Sequence, residues 1–207
     1  GVDSLIVGEA QILGQLRRAY GLSNSAGSVG EHLHGLLQRA VTFGRRIRVE
    51  TDIARGNVSL ASISCRLAAQ VAGPLREKVV LLLGAGETAE LAGRSFAKEG
   101  VRDLMVLNRS RDKALAMAQE LGGRDVAIDR LLYAVEQADV VVCAVSAPHY
   151  VITKAGLEEI AERRPDRPIL MIDLSMPRNI DREVTNFPNV ELYAIEDLEE
   201  IAHQNRR

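Results

Sequence analysis

The chain has 207 residues, 46% of them hydrophobic and 26% charged, a composition that supports a buried core and excludes disordered and collagen-like classes. Its net charge of −2 gives no overall field to draw in nucleic acid, and two cysteines cannot build a disulfide framework, so a reducing, cytoplasmic setting is expected. The longest apolar runs, such as Val79–Leu83 and Val140–Val145, fall far short of the roughly 20 residues of a membrane helix.

The first residues lack the charged start and apolar block of a secretory signal. Gly1 rather than Met stands first, and 197–207 read as a helix barely begun, so a piece of a longer protein is expected. Residues 1 to about 72 read as helical. Ser28-Val29-Gly30-Glu31 has the capping-box pattern, a hydroxyl followed three residues later by a carboxylate. Leu33, Leu36, Leu37, Ala40, Val41 and Ile47 then recur at helical spacing. A further helix is predicted over Ser59–Ala72, with Leu60, Ile63, Leu67 and Val71 as its apolar stripe and Gly73-Pro74 as its stop. Residues 1–56 carry a charge of +2 and 57–207 a charge of −4. The basic excess lies in Arg45-Arg46-Ile47-Arg48, which reads either as a solvated helix face or as a contact for a phosphate backbone.

From Lys78 the pattern changes. Strands are predicted at Val79–Leu83, Leu104–Leu107, Val126–Ile128, Val140–Val145, Ile169–Ile172 and Val190–Tyr193. Helices are predicted between them at Thr88–Lys98, Arg111–Leu121, Leu131–Gln137 and Lys154–Glu162. Strands apolar on both faces need helices on both sides, hence a parallel sheet. The expected fold is α/β, a doubly wound Rossmann-type parallel sheet preceded by a helical segment from a second, incomplete domain.

Gly84-Ala85-Gly86-Glu87-Thr88-Ala89 follows the first strand and opens a helix, as G-x-G-x-x-A. Gly84 permits the tight turn, Gly86 lets backbone approach a pyrophosphate, and Ala89 lets helix pack on strand. The helix N-terminus offers free N–H groups to the phosphates. The second strand ends in Asn108-Arg109-Ser110-Arg111, without the acid that takes a ribose 2′-hydroxyl. Arg109 and Ser110 suit a 2′-phosphate instead, and Asp103 lies at the wrong end of the strand, so NADP(H) is expected. Exposed turn chemistry, with Ser110 capping the next helix, is the alternative reading of this tip. Two later strand ends, Val145–His149 and Asp173–Arg178, are expected to face the nicotinamide. His149 there is a proton donor or simply solvated, and Asp173 is expected to cap the turn at Met176–Ile180.

Cys143 lies in an apolar strand and reads as inert core. Cys65 points about 140° from its helix's apolar stripe, at about 100° per residue, which suggests a second interface or solvent. It has no basic neighbour one turn away to lower its pKa. His32 and His34 are two apart on a helix and cannot share a metal. Neither a metal-ligand cluster nor a Ser/His/Asp signature is evident.

Gly1-Val2-Asp3-Ser4-Leu5-Ile6-Val7-Gly8-Glu9-Ala10-Gln11-Ile12-Leu13-Gly14-Gln15 resembles the signature of the glutamyl-tRNA reductase family. Gly44–Thr51, Gly84–Thr88, Asn108–Ser110 and Asp173–Arg178 follow in that family's order and spacing. The resemblance implies reduction of glutamyl-tRNA by NADPH to glutamate-1-semialdehyde, the first step of tetrapyrrole synthesis, through a cysteine thioester. It implies that 1–56 are the end of a catalytic, glutamate-recognising domain, 57–196 an NADPH domain with its leading helix, and 197–207 the start of a helix to a dimerisation domain. It also implies a homodimer when full length and an aminomutase that accepts the semialdehyde. The family's nucleophile sits in a Thr-Cys-Asn-Arg-like motif that is not in this sequence, and neither Cys65 nor Cys143 matches it. What carries over is the glutamate pocket: Ser4, Glu9, Ala10, Gln11 and Gln15, with Ala10 in place of the usual proline. An acid with amide and hydroxyl donors suits an amino acid's ammonium and carboxyl groups. Two other readings remain: a shikimate-dehydrogenase-like NADP oxidoreductase, which requires a Lys/Asp substrate domain, and a non-catalytic NADP-sensing domain.

Overall fold

The computed structural model describes residues 10–51 and 59–204, which fall into two compact units parting between Ser59 and Leu60. The first unit contains α1 (Ala10–Ser25) and α2 (Glu31–Glu50). They pack on one another through Leu13, whose methyl group would meet a Cβ on Gly44 at 2.9 Å. The Tyr20 hydroxyl lies 2.7 Å from Nδ1 of His34. The predicted capping box is not formed. Ser28 Oγ donates instead to the Ser23 carbonyl at the end of α1, and Gly30 takes the N-cap position without a side-chain bond. The predicted stripe is only half covered: Leu37, Val41 and Ile47 are half-buried, while Leu33, Leu36 and Ala40 are exposed. Two helices alone cannot enclose a full apolar arc. Arg46 pairs with Glu50 one turn along the same helix, which fits a solvated face.

The second unit opens with α3 (Leu60–Val71) and holds six strands: β1 (Val79–Leu83), β2 (Asp103–Leu107), β3 (Arg124–Val126), β4 (Val140–Cys143), β5 (Ile169–Asp173) and β6 (Val190–Ala194). All pairs are parallel and the order is β3-β2-β1-β4-β5-β6, so the doubly wound sheet expected from the sequence is present. The intervening helices are α4 (Glu87–Glu99), α5 (Arg111–Leu121), α6 (Leu131–Gln137) and α7 (Lys154–Arg163), and α8 (Ile195–Gln204) follows β6. Strands β1, β4 and β5 are buried along their whole length, which is why they read as unbroken apolar runs.

Two strand boundaries need correction. The third strand spans Arg124–Val126 rather than 126–128, because Ile128 begins a 3-10 turn and is half exposed. As an edge strand it carries Arg124 and Asp125, whose charges hid it from an apolar-run reading. β4 stops at Cys143 because the Val145 amide turns away to donate to Ser175 Oγ. Of the two readings of Cys65 the second interface holds, not solvent: it is buried, and so are Ala61, Ile63, Ser64, Leu67 and Ala68 around it. α3 packs against both α4 and α8, so its buried arc is wider than one stripe, and Val71 is left at its exposed margin.

At the amino edge of the sheet a buried arginine ties elements together. The Arg164 guanidinium donates to the carbonyls of Val135, Glu136 and Ala138 at the end of α6, and to those of Arg167 and Pro168. Burial lowers its pKa to about 10, leaving it charged at neutral pH. Beside it, Asp139 accepts from the Val79 amide and pairs with Arg167 at 2.6 Å.

Candidate functional site

At the opposite, carboxyl edge lies a cleft of about 740 Å³, where β1 and β4 part and the strand order reverses. Its floor is the turn after β1. Gly84 has φ +113°, and a Cβ there would stand 2.9 Å from the Ala144 carbonyl carbon and closer still to its oxygen. No other residue fits that turn. The Gly84 amide donates to the Leu107 carbonyl at 2.8 Å, which fixes the turn against β2. Gly86 is different. Its backbone is extended, it occupies the N-cap position of α4, and a Cβ would meet nothing within 4 Å. The space it faces is open to a ligand at the helix N-terminus. Ala85, Glu87 and Thr88 also line the cleft, whereas Ala89 is fully buried beneath it. Close packing of α4 falls also to Gly93, which the sequence reading did not single out. A Cβ there would meet Leu121 Cδ1 at 2.5 Å and Leu82 Cδ2 at 3.0 Å.

The tip of β2 forms a second wall. Asn108 and Arg109 line it; Ser110 lies just outside. Asn108 Nδ2 donates to the Ser110 carbonyl, which shapes the tip. Ser110 stands at the N-cap of α5, yet its side chain makes no capping bond. Arg111 turns to Asp125 at 3.3 Å, and Asp103, at the far end of β2, pairs with Arg124 at 2.9 Å. Arg109 alone of these charges faces the cleft, and among the described residues it forms no ion pair. A cation without a carboxylate fits a phosphate better than a ribose diol.

The remaining walls are 144–151 after β4 and 174–176 after β5. Asp173 is buried, and its carboxylate accepts from the amides of Ser175, Asn179 and Ile180, so it caps the turn as expected. His149 is exposed on the cleft wall. Ser175 Oγ lies 3.5 Å from Cys143 Sγ. Burial and the neighbouring Asp173 push the Cys143 thiol up to about 12, and burial with Glu99 pushes Cys65 up to about 11. Both thiols stay protonated at neutral pH, a state unsuited to nucleophilic attack.

Of the residues expected to bind the glutamyl group, Ser4 and Glu9 lie outside the described residues. Ala10 and Gln11 stand in the first turn of α1, and Gln15 is exposed further along it. Among the described residues no group of His, Cys, Asp and Glu could hold a metal ion, and no helix is long and apolar enough to cross a membrane.

Fold and cleft define a Rossmann-like domain of the NAD(P)-binding class, and residues 66–201 match the family "Shikimate / quinate 5-dehydrogenase". Residues 1–51 match a different family, "Glutamyl-tRNAGlu reductase, N-terminal domain", not the substrate domain that a shikimate-type enzyme requires. Glutamyl-tRNA reductases of Trichlorobacter lovleyi and Archaeoglobus fulgidus are each 40% identical over 99% of this chain, which covers 47% of each of them. The solved glutamyl-tRNA reductase of Methanopyrus kandleri is 39% identical and superposes with a TM-score of 0.68, over 99% of this chain and 52% of that one. This chain therefore belongs to the glutamyl-tRNA reductase family and spans about half the length of the relatives it matches.

Proposed function

We propose that this chain forms the NADPH-binding domain, and part of the glutamate pocket, of an enzyme that reduces glutamyl-tRNA to glutamate-1-semialdehyde and so opens tetrapyrrole synthesis. One observation carries the cofactor assignment: a glycine turn that leaves open space at a helix N-terminus shares a cleft with a strand tip bearing Arg109 and no acid. When bound, NADPH supplies a hydride. Gly84, Ala85, Gly86, Glu87 and Thr88 would hold its pyrophosphate, with Ala89 packing the helix behind them. Asn108, Arg109 and Ser110 would hold its 2′-phosphate. The walls after β4 and β5 would shield the nicotinamide from water. Ser4, Glu9, Ala10, Gln11 and Gln15 would bind the glutamyl group. Glutamyl-tRNA as substrate, a homodimer, a cytoplasmic setting and transfer of the semialdehyde to an aminomutase belong to the same proposal.

Calorimetric titration tests the cofactor assignment. NADPH is expected to bind more tightly than NADH. Arg109→Ala should remove about 1.5–3 kcal/mol of charge-assisted contact, weakening NADPH roughly ten- to a hundredfold and leaving NADH almost unchanged. Equal losses for both nucleotides would refute the 2′-phosphate assignment.

A further inference from the structure

The loop after β4 walls the cleft, and one buried side chain behind it holds its shape. Asn179 is fully buried. Its Nδ2 donates to the carbonyls of Ala147 and His149, both at 2.9 Å, and its Oδ1 accepts from the Ala147 amide at 3.4 Å. Its backbone carbonyl accepts from the amides of Val151 at 2.7 Å and Ile152 at 3.2 Å. Asn179 is itself seated by Asp173, whose Oδ2 accepts from the Asn179 amide at 2.8 Å. Every polar group of this carboxamide is thus spent on the backbone of one loop. Removing it would leave the Ala147 and His149 carbonyls without these partners, a costly loss for partly buried groups.

The two halves of a doubly wound sheet take the two halves of a dinucleotide. Arg109, on the β1-β2-β3 half, marks the adenosine end, so the β4 and β5 loops face the nicotinamide end. We propose that Asn179 is a positioning residue for the nicotinamide half of the bound cofactor: it sets where the 147–149 wall stands without touching the ligand. This rests on the NADPH reading given above.

The test compares NADPH with adenosine 2′,5′-bisphosphate, which lacks the nicotinamide, on the full 207-residue chain. Asn179→Ala is expected to weaken NADPH roughly tenfold or more. Adenosine 2′,5′-bisphosphate should stay within about twofold of the unsubstituted chain, as for a distant, independent site. A second measurement needs no variant. Amide hydrogen exchange at Ala147, His149 and Tyr150 should slow when NADPH is added and stay unchanged with adenosine 2′,5′-bisphosphate. Equal loss of both ligands in a variant that melts like the parent, no loss of either, or exchange that responds alike to both ligands would overturn the proposal. Failure of the unsubstituted chain to bind either ligand would instead overturn the NADPH reading, and this inference with it.

Discussion

Two glycines three-dimensionally adjacent but differently constrained give the sharpest prediction. Gly84→Ala places a methyl group against the Ala144 carbonyl, in a backbone conformation of φ +113° that L-residues rarely adopt. The conformational strain is about 1–3 kcal/mol, and displacing a close-packed neighbour adds about 1–3 kcal/mol more. The backbone cannot yield easily, because the Gly84 amide is bonded to Leu107 and the Ala144 amide to Leu83, each at 2.8 Å. For a protein of this size the melting temperature should fall on the order of 10 °C. Gly86→Ala meets open space in an extended backbone, so its melting temperature should stay within about 2 °C of the parent. Its methyl group nevertheless projects where a pyrophosphate would approach, and NADPH should weaken roughly tenfold or more. Differential scanning fluorimetry with and without NADPH reads both effects. A Gly84→Ala variant as stable as the parent, or a Gly86→Ala variant that binds NADPH normally, would refute this account of the turn.

Arg164→Ala should destabilise the fold by about 3 kcal/mol, seen as a lower urea midpoint, because it leaves the carbonyls at the end of α6 without their buried donor. At pH 8 the Cys65 thiolate fraction should lie roughly a hundredfold below that of an ordinary thiol, since its pKa is raised from 9.0 to about 11. Iodoacetamide labelling should therefore be slow in the folded chain, rise with pH toward 11, and become fast on unfolding; the protonated thiol favours the fold fully below pH 9 and less as pH climbs. Incubated at neutral pH with labelled glutamyl-tRNA, this chain alone should hold no label on Cys65 or Cys143 and release no semialdehyde, because both thiols stay protonated there.

The central sheet was legible because strands buried on both faces must be apolar throughout, and β1, β4 and β5 are. The same rule failed at β3, where an edge strand holds Arg124 and Asp125 in place of the apolar run. Periodicity left Cys65 open between solvent and a second interface because one stripe describes a helix with one neighbour, and α3 packs against α4, α8 and β5. In the site, the glycine turn and the Asn108–Ser110 tip were readable because each is a local pattern of consecutive residues. So was the Asp173 cap, whose acceptor and donors lie within seven residues. Asn179 was not, because its carboxamide reaches a loop about 30 residues away, and no spacing rule spans that distance. Arg164 escaped for the same reason: its partners on α6 are 26 to 29 residues earlier.

The brevity of β3 limits what can add to the sheet at that edge. An open sheet exposes unpaired backbone groups along its outer strand, and another molecule can add a strand there. β3 offers only three residues for such an addition. Arg124 of that strand is paired with Asp103, and Asp125 with Arg111, so an incoming strand would meet charged side chains along a very short ladder. That edge resists extension into a continuous sheet between molecules, which leaves the five-residue β6 as the longer open edge of the sheet.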